Sequence, residues 1–366
     1  MVFLVSVAAP LNQFKVPPMM PLLMESFRLD LGMAGLLMSI LAVTGFILAL
    51  PAGFILQRLG PKVAGLIATG CTAIGAVVGA LSPSTGLLLA GRVIEGIGMG
   101  LIAVVAPVVV GMWFPAERRG IPMGIWATWV PVGRIIMYNV APALGTAISW
   151  QAVWWFGAAF ALVAFVLYWA LFRVPPAWTG TMPLGEAGGG SPPVEGPRLG
   201  RAMANRHIWL LGLQFCCFNI VLLAFGTFLP TFLVSVRGYS LGTAGFVASL
   251  TSVTIVSCPL GGWISDRIGS RKLVYTVAFL LLTAMWLLPF TITGWLIPAF
   301  VVVLGMVVGP IPTATFAAVP EVMGRPQLAG IGMAVLALGQ NLGMFIGPVR
   351  LGNLSRWLAG RPLATC

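Results

Sequence analysis

The stretch Gly53-Phe-Ile-Leu-Gln57-Arg58-Leu-Gly60-Pro-Lys62 returns, with substitutions, as Gly262-Trp-Ile-Ser-Asp266-Arg267-Ile-Gly269-Ser-Arg271. Both copies read Gly-x-x-x-Asp/Gln-Arg-x-Gly-x-basic, and each lies between two apolar runs. The first glycine allows two helices to approach closely, and the second permits a tight turn. The Asp or Gln can accept hydrogen bonds from a neighbouring helix, and the Arg completes a charge network. A loop repeated in this way indicates two related halves, each with the loop between its second and third helices.

The composition around these loops is that of a membrane protein. Hydrophobic residues make up 59% of the 366 residues and charged residues only 8%, whereas a soluble domain is usually about 25% charged. Too few charges are present to cover a water-facing surface, so the chain is expected to lie in lipid. Backbone polar groups in lipid must be bonded within the protein, and we therefore predict an all-α membrane protein.

Hydropathy predicts eleven spans of the roughly 20 apolar residues that a membrane helix needs. The spans are residues 1–24, 32–56, 62–81, 86–110, 121–148, 150–172, 207–233, 240–263, 272–290, 293–316 and 327–349. The one long polar stretch, 173–206, contains Gly188 to Gly190 and has a flexible-linker composition. We expect an N-terminal bundle at 1–172, a cytoplasmic linker at 173–206, a C-terminal bundle at 207–349 and an atypical tail at 350–366.

The tail and the loop charges set two further expectations. Residues 350–366 carry three arginines and are too short and too charged to span a membrane, so we expect the twelfth helix of a six-plus-six arrangement to be missing, as in a truncated or frame-shifted gene product. If the N-terminus is cytoplasmic, most loop arginines and lysines also lie on the cytoplasmic side, as the positive-inside rule requires. The expected location is the inner or plasma membrane of a prokaryote.

Several classes of function are disfavoured by the same residues. The net charge of +12 comes from loops between apolar runs, so nucleic-acid binding is not expected. Four of the five cysteines lie in apolar stretches without metal-ligand spacing, and His207 is the only histidine. No nucleophile–base set, phosphate loop or metal cluster is visible, so we expect neither an enzyme nor a metal or other cofactor.

The repeated loop resembles the signature of the major facilitator superfamily, and the resemblance covers nearly the whole chain. The run Arg92-Val-Ile-Glu95-Gly-Ile-Gly98-Met-Gly100 is similar to the family's Arg-x-x-x-Gly-x-Gly run in the fourth helix. The resemblance implies two pseudo-symmetric six-helix bundles that work by alternating access. Gln57 stands where the family usually has Asp. Residues 12–21 and 124–133 resemble the cyanate permease-like branch, which also includes nitroimidazole-type carriers.

Four charged residues lie well inside predicted spans of the N-terminal half, namely Lys15, Arg92, Glu95 and Arg134. Charges there cost roughly 2.5–3.5 kcal/mol each on insertion scales, so each is expected to have a partner or a function. Arg92 and Glu95 are three residues apart on one helix and can form an ion pair. Glu95 is also the candidate proton-coupling carboxylate, because a buried carboxylate can bind a proton near neutral pH.

If Arg92 and Glu95 neutralise one another, Lys15 and Arg134 remain as two cations that a bound anion would compensate. Lys15 precedes Pro17 and Pro18, which break the first helix as in cavity-lining transporter helices. The alternative is that these side chains reach to the membrane interface. Asn12, Tyr138 and Trp126 lie near them in the sequence and could contact a substrate, and Asn219 and Asn341 are candidate neutral contacts from the C-terminal half.

These observations predict a monomeric secondary transporter of a small organic or inorganic anion, imported with protons. Its partners would be the anion, protons and membrane lipid, with no nucleic acid. An exporter of hydrophobic or aromatic compounds is the first alternative, although Ala141-Pro-x-x-Gly145 only partly matches an antiporter motif. A truncated remnant or sensor without transport activity is the second alternative.

Overall fold

A computed structural model describes residues 1–113, 125–126, 128–173, 205–268, 271–286, 288, 292–323 and 329–359. Every element assigned in these ranges is helical. In chain order the α-helices are α1 Val2–Gln13, α2 Val16–Phe27, α3 Leu31–Ala80, α4 Thr85–Trp113, α5 Trp129–Ala147, α6 Trp150–Leu171, α7 Arg206–Ser235, α8 Leu241–Ser249, α9 Thr254–Ile268, α10 Arg271–Met285, α11 Leu296–Val308, α12 Pro310–Met323 and α13 Ala329–Ala359. A short 3₁₀ helix, Leu250–Val253, joins α8 to α9.

Seven helical segments of the described chain are long and apolar enough to cross a membrane. They are Leu31–Leu48, Arg58–Ala80, Thr85–Val110, Trp150–Leu171, Arg206–Ser235, Leu241–Ile264 and Leu296–Phe316. The prediction of an all-α membrane protein is confirmed by this helical content. Three predicted spans are divided in the structure. The first becomes α1 and α2, the eighth becomes α8, the 3₁₀ helix and α9, and the tenth becomes α11 and α12, which meet at Gly309 before Pro310.

The repeated loop of the first half is a sharp turn inside α3. Gly60 has φ 76° and ψ 168°, while the residues on both sides continue in helical conformation. Only glycine adopts a positive φ without steric cost, which explains why the motif needs a glycine here. Pro61 then begins the following helix, where its missing N–H is tolerated. α3 is therefore two helical segments joined at Gly60.

The sixth helix illustrates how lipid replaces water as the outer solvent. Its buried side includes the small residues Gly157, Ala158, Ala161 and Ala164, whereas its outer side carries exposed Leu162, Val163, Val166 and Trp169. Small residues on the inner face let neighbouring helices approach closely, and large apolar residues suit contact with acyl chains. This distribution is the reverse of that on a water-exposed helix.

The described chain divides into two compact units. Unit 1 comprises Met1–Met182, Phe218–Gly245 and Asn341–Cys366. Its core includes Leu101 and Val105 of α4, Ala161 and Tyr168 of α6 and Trp129 of α5. Helices α3 and α4 form its most extensive packing. The second half of α7 and the end of α13 therefore pack in the same unit as α1 to α6.

Unit 2 comprises Pro183–Cys217 and Phe246–Gln340. Its helices pack closely through small residues: a Cβ at Gly261 of α9 would lie 2.6 Å from the Pro310 backbone of α12. The Ser257 hydroxyl donates a 2.9 Å hydrogen bond to the Gly305 carbonyl of α11. The Asn205 amide similarly caps the end of α12 by donating to the Val322 carbonyl at 2.9 Å.

The segment that the sequence marked as a tail begins inside a helix. α13 runs from Ala329 to Ala359, so residues 350–359 continue the helix that contains the last predicted span. Gly352 lies against the Leu31 carbonyl at the start of α3, where an added Cβ would approach within 2.3 Å. The end of α13 is therefore packed within unit 1. Residues 360–366 lie outside the described ranges.

Candidate functional site

The first membrane helix is broken at Phe14 and Lys15, between α1 and α2. Pro17 and Pro18 occupy the first turn of α2, a position where the missing N–H of proline is tolerated. In a continuous helix the Gln13 carbonyl would accept a hydrogen bond from the N–H of residue 17, which proline lacks. The break therefore leaves buried carbonyl groups that need donors from elsewhere.

Arg92 of α4 supplies these donors. Its Nη1 donates to the Asn12 carbonyl at 2.7 Å, its Nη2 to the Gln13 carbonyl at 3.1 Å, and its Nε to the Leu37 carbonyl of α3 at 3.0 Å. The same Nη1 also donates to the carboxylate of Glu95. The arginine is fully buried, and its planar fork bonds three carbonyls on two other helices at once.

Lys15 lies in the same network. Its ammonium donates to Glu95 Oε1 and to Asn12 Oδ1, the latter at 3.0 Å, and lies 4.7 Å from the centre of the Trp154 ring. Lys15, like Arg92, has no exposed surface, and Glu95 is 1% exposed. The expectation that Lys15 is left without a carboxylate partner is wrong, because Glu95 bridges both cations. One carboxylate facing two cations leaves the network with an excess of positive charge.

Asn12 uses its side chain within this network. Its amide donates to the Ala8 carbonyl at 2.9 Å and to the Gly157 carbonyl of α6 at 3.1 Å, while its oxygen accepts from Lys15. A Cβ at Gly157 would lie 2.2 Å from that oxygen, so glycine is needed there. In this structure Asn12 therefore orients Lys15 toward Glu95.

Arg134 and Tyr138 lie one turn apart on α5, beside the break. The Arg134 guanidinium is 5.5 Å from the centre of the Phe14 ring and the arginine is partly exposed. Phe14 in turn meets the Tyr138 ring edge to face, with 6.0 Å between centroids. The Tyr138 hydroxyl donates to the Gly226 carbonyl of α7 at 2.9 Å. Lys15 and Arg134 were the two cations predicted from the sequence to be balanced by a bound anion. Of these two, Arg134 is the one with accessible surface.

The remaining candidate substrate residues are distributed around unit 1. Trp126 donates from Nε1 to the Ser6 hydroxyl at 3.1 Å and stacks on Trp129 with 5.4 Å between ring centroids. Asn219 is buried on α7, and Asn341 is half-buried on α13. The Asn341 side chain lies near Gly45 of α3.

The residues of the two repeated loops are only partly described. Arg58 is exposed, and Lys62 is half-exposed beside the Gly60 turn. The Tyr168 hydroxyl of α6 donates to the Pro61 carbonyl at 2.9 Å and so ties this turn to a neighbouring helix.

In the second loop, a Cβ at Gly262 would lie 3.3 Å from Thr313 of α12. Arg267 is exposed with its guanidinium 5.4 Å from the Trp263 ring centre. Gly53 lies on α3. Gly269 and the side chains of Gln57, Asp266 and Arg271 are outside the described part.

Sequence reasoning did not identify Trp154, Tyr168 or the carbonyls that Arg92 and Tyr138 contact. A usable signal exists for the carbonyls: a proline inside a helix removes the donor for the carbonyl four residues before it. Pro17 points to Gln13 in this way, and Pro230 points to Gly226. The aromatic residues carry no such signal, because core packing uses the same residue types.

The family model described as Major Facilitator Superfamily matches residues 2–348. A probable sulfoacetate transporter, SauU, of Cupriavidus necator is 25% identical over 69% of this chain and 60% of its own length. A hexuronate transporter of Bacillus subtilis is 22% identical over 73% of this chain and 63% of its length. A triacylglyceride transporter of Mycolicibacterium smegmatis is 26% identical over 88% of this chain and 68% of its length.

Solved structures show the same fold. The crystal structure of a bacterial homologue of the human lysosomal transporter Spinster, inward-facing and occupied, has a TM-score of 0.79 to this chain at 19% identity. The alignment covers 98% of this chain and 81% of the other. The chain spans 21%, 60% and 34% of the lengths of the first three curated relatives that it matches.

Proposed function

The chain belongs to the major facilitator superfamily, and from this we propose that it is a secondary transporter of a small organic anion that works by alternating access. The observation that carries the proposal is the excess positive charge inside the N-terminal bundle. Lys15 and Arg92 share the single carboxylate of Glu95, and Arg134 lies beside the break with part of its surface accessible. An anion is the simplest ligand to balance such a site.

We assign the first contact with the substrate to Arg134 rather than to Lys15. The Lys15 ammonium is enclosed by Glu95, Asn12 and Trp154, whereas Arg134 lies against Phe14 and keeps an accessible surface. A planar guanidinium binds a carboxylate through two parallel hydrogen bonds. Asn219, Asn341, Tyr138 and Trp126 are the neutral groups proposed to shape the rest of the site.

The substrate class is a carboxylate or a similarly small anion. Sulfoacetate and hexuronates, named for two of the relatives, both carry carboxylates. Within the superfamily we favour the cyanate permease-like branch because of the sequences at 12–21 and 124–133, and cyanate is also a small monoanion.

Glu95 is proposed to couple transport to protons. It is the one carboxylate between Lys15 and Arg92, so a proton on Glu95 would release both cations together. Uptake would then be anion import driven by an inward proton gradient. Neutralising Glu95 should make uptake insensitive to that gradient while leaving downhill exchange of the anion measurable.

The proposed arrangement in the cell follows the loop charges. We propose a monomer in a prokaryotic inner membrane with its N-terminus cytoplasmic, a linker at 173–206 and bundles at 1–172 and 207–349. The arginines and lysines at both repeated loops would then face the cytoplasm.

The test is thermal unfolding of the detergent-purified chain with a panel of sulfoacetate, glucuronate, cyanate, a neutral hexose and the lipophilic cation tetraphenylphosphonium. A ligand at 100 times its Kd stabilises by roughly 2.7 kcal/mol. We expect stabilisation by one or more anions only, and its loss in Arg134→Gln but not in Arg267→Gln, a control at an exposed arginine. Anion stabilisation that persists in Arg134→Gln would refute the assignment of Arg134.

The alternative is an exporter of lipophilic compounds. It is favoured by the similarity to the triacylglyceride transporter, which extends over 88% of this chain. The same panel separates the two functions, because stabilisation by the lipophilic cation alone would support the exporter and oppose anion transport.

A further inference from the structure

Gly226 of α7 carries a carbonyl whose usual helical donor is missing. The donor for this carbonyl would be the N–H of residue 230, which is a proline. The Tyr138 hydroxyl of α5 takes that place, donating to the Gly226 carbonyl at 2.9 Å. Tyr138 itself is 1% exposed, and its ring is held edge to face by Phe14. A side chain of the N-terminal half thus donates the hydrogen bond that this carbonyl of the C-terminal half lacks.

Tyr138 also contacts the C-terminal half through its backbone carbonyl. Pro142 removes the helical donor for the Tyr138 carbonyl, and Gly245 of α8 packs directly against that carbonyl. A Cβ at Gly245 would lie 2.2 Å from the Tyr138 oxygen and 2.8 Å from the Pro142 ring. One residue of α5 therefore contacts both α7 and α8.

These contacts lie toward one end of unit 1. Gly35, near the start of α3, packs against the Pro348 carbonyl of α13 and close to Phe228, two residues after Gly226. The Gly60 turn lies at the opposite end of the first span of α3. The two sequence halves therefore meet through close helix contacts at the end away from the first repeated loop.

We propose that Tyr138 is a latch that closes this end of the transport path. Its hydroxyl holds α5 to α7 in the closed state and leaves the Gly226 carbonyl when that end opens. Because Pro230 removes the competing helical donor, the carbonyl can exchange the tyrosine for water without any change in the hydrogen bonds of α7. The latch rests on the proposed alternating-access transport, but its test requires no substrate.

The experiment measures the distance between spin labels at Ser26→Cys on α2 and Ser235→Cys on α7, two exposed positions near the ends of these helices. The five native cysteines are replaced by alanine. We expect Tyr138→Phe to raise the ratio of long to short distances about two- to tenfold, the range for the loss of one net hydrogen bond. Pulsed electron–electron double resonance in detergent and in nanodiscs measures the populations with the short and the long distance.

Tyr168→Phe is the matched control. It removes another tyrosine hydroxyl that donates to a backbone carbonyl at 2.9 Å, but the acceptor, Pro61, belongs to the same sequence half. We expect this variant to keep the parental distance distribution.

A second variant acts on the same contact without touching the tyrosine. Gly245→Ala places a methyl group against the Tyr138 carbonyl, so it should also increase the long-distance population. Parental distributions in both Tyr138→Phe and Gly245→Ala would overturn the latch. A shift in Tyr168→Phe equal to that in Tyr138→Phe would overturn it as well, because the effect would then not be specific to the contact between halves.

Discussion

The guanidinium of Arg92 is enclosed by backbone carbonyls as well as by Glu95. The sequence indicates the pair with Glu95, because the two residues are three positions apart on one helix. It does not indicate the contacts to Asn12, Gln13 and Leu37, since these depend on how α1, α3 and α4 pack. Lys15 joins the network for the same tertiary reason.

Arg92→Lys tests the role of the arginine fork. Lysine keeps the charge but cannot reach three carbonyls in different directions, so at least one buried acceptor loses its donor. Each such loss costs about 1–3 kcal/mol, and we expect a clearly lower melting temperature in detergent. Arg267→Lys, at an exposed arginine, should melt within about 0.5 kcal/mol of the parent. Equal melting of both variants would show that the carbonyl contacts contribute little.

Glu95→Gln tests the charge balance of the network. It leaves two buried cations without a carboxylate, and breaking a buried ion pair in this way typically costs about 3–5 kcal/mol. Combining Glu95→Gln with Lys15→Met restores the original excess of one positive charge, so the double variant should recover much of the lost stability. A double-mutant cycle from thermal melts measures the coupling. Additive effects of the two substitutions would contradict direct pairing.

At the scale of elements, prolines account for much of what could be predicted. Pro17 and Pro18 predict the break between α1 and α2, and the Gly60-Pro61 pair predicts the turn inside α3. The division of the tenth span into α11 and α12 was missed because hydropathy continues unchanged across Gly309 and Pro310. The hydropathy of a segment indicates whether it lies in lipid. Whether its helix is continuous depends on the backbone N–H donors, which proline lacks.

Replacing both Pro17 and Pro18 by alanine should separate stability from transport. Residue 17 would regain an N–H for the Gln13 carbonyl, which would then compete with Arg92 for that acceptor. We expect a melting temperature equal to or above that of the parent but a loss of anion uptake by proteoliposomes. Pro259→Ala in α9, a mid-helix proline of unit 2, is the control that leaves the α1–α2 break intact. Full uptake in the double variant would mean that the break is not needed for transport.

At the scale of the whole molecule, the repeated loops predict two halves, and the compact units cross that sequence boundary. Phe218–Gly245 and the residues from Asn341 belong to the C-terminal half by sequence, yet they pack in unit 1 with α1 to α6. Periodicity and motif repeats cannot predict this, because it depends on close contacts such as those of Gly35 with Pro348 and of Tyr138 with Gly226.

These contacts predict that the chain survives a cut in its linker. A protease site introduced within residues 174–200 divides the protein into two fragments. Among the described residues, the second half of α7, the start of α8 and the end of α13 belong to the C-terminal fragment but pack in unit 1 with α1 to α6. Because glycine-mediated helix contacts in a membrane protein rest on close van der Waals packing, we expect the fragments to co-elute in size-exclusion chromatography and to melt in one transition. Adding Gly35→Ala should promote separation of the cut fragments, because its Cβ would lie 2.5 Å from the Pro348 carbonyl. Gly86→Ala is the control and should not promote separation, because a Cβ there meets nothing within 4 Å. Separation of the cut parent into two species would show that the linker, rather than this packing, holds the halves together.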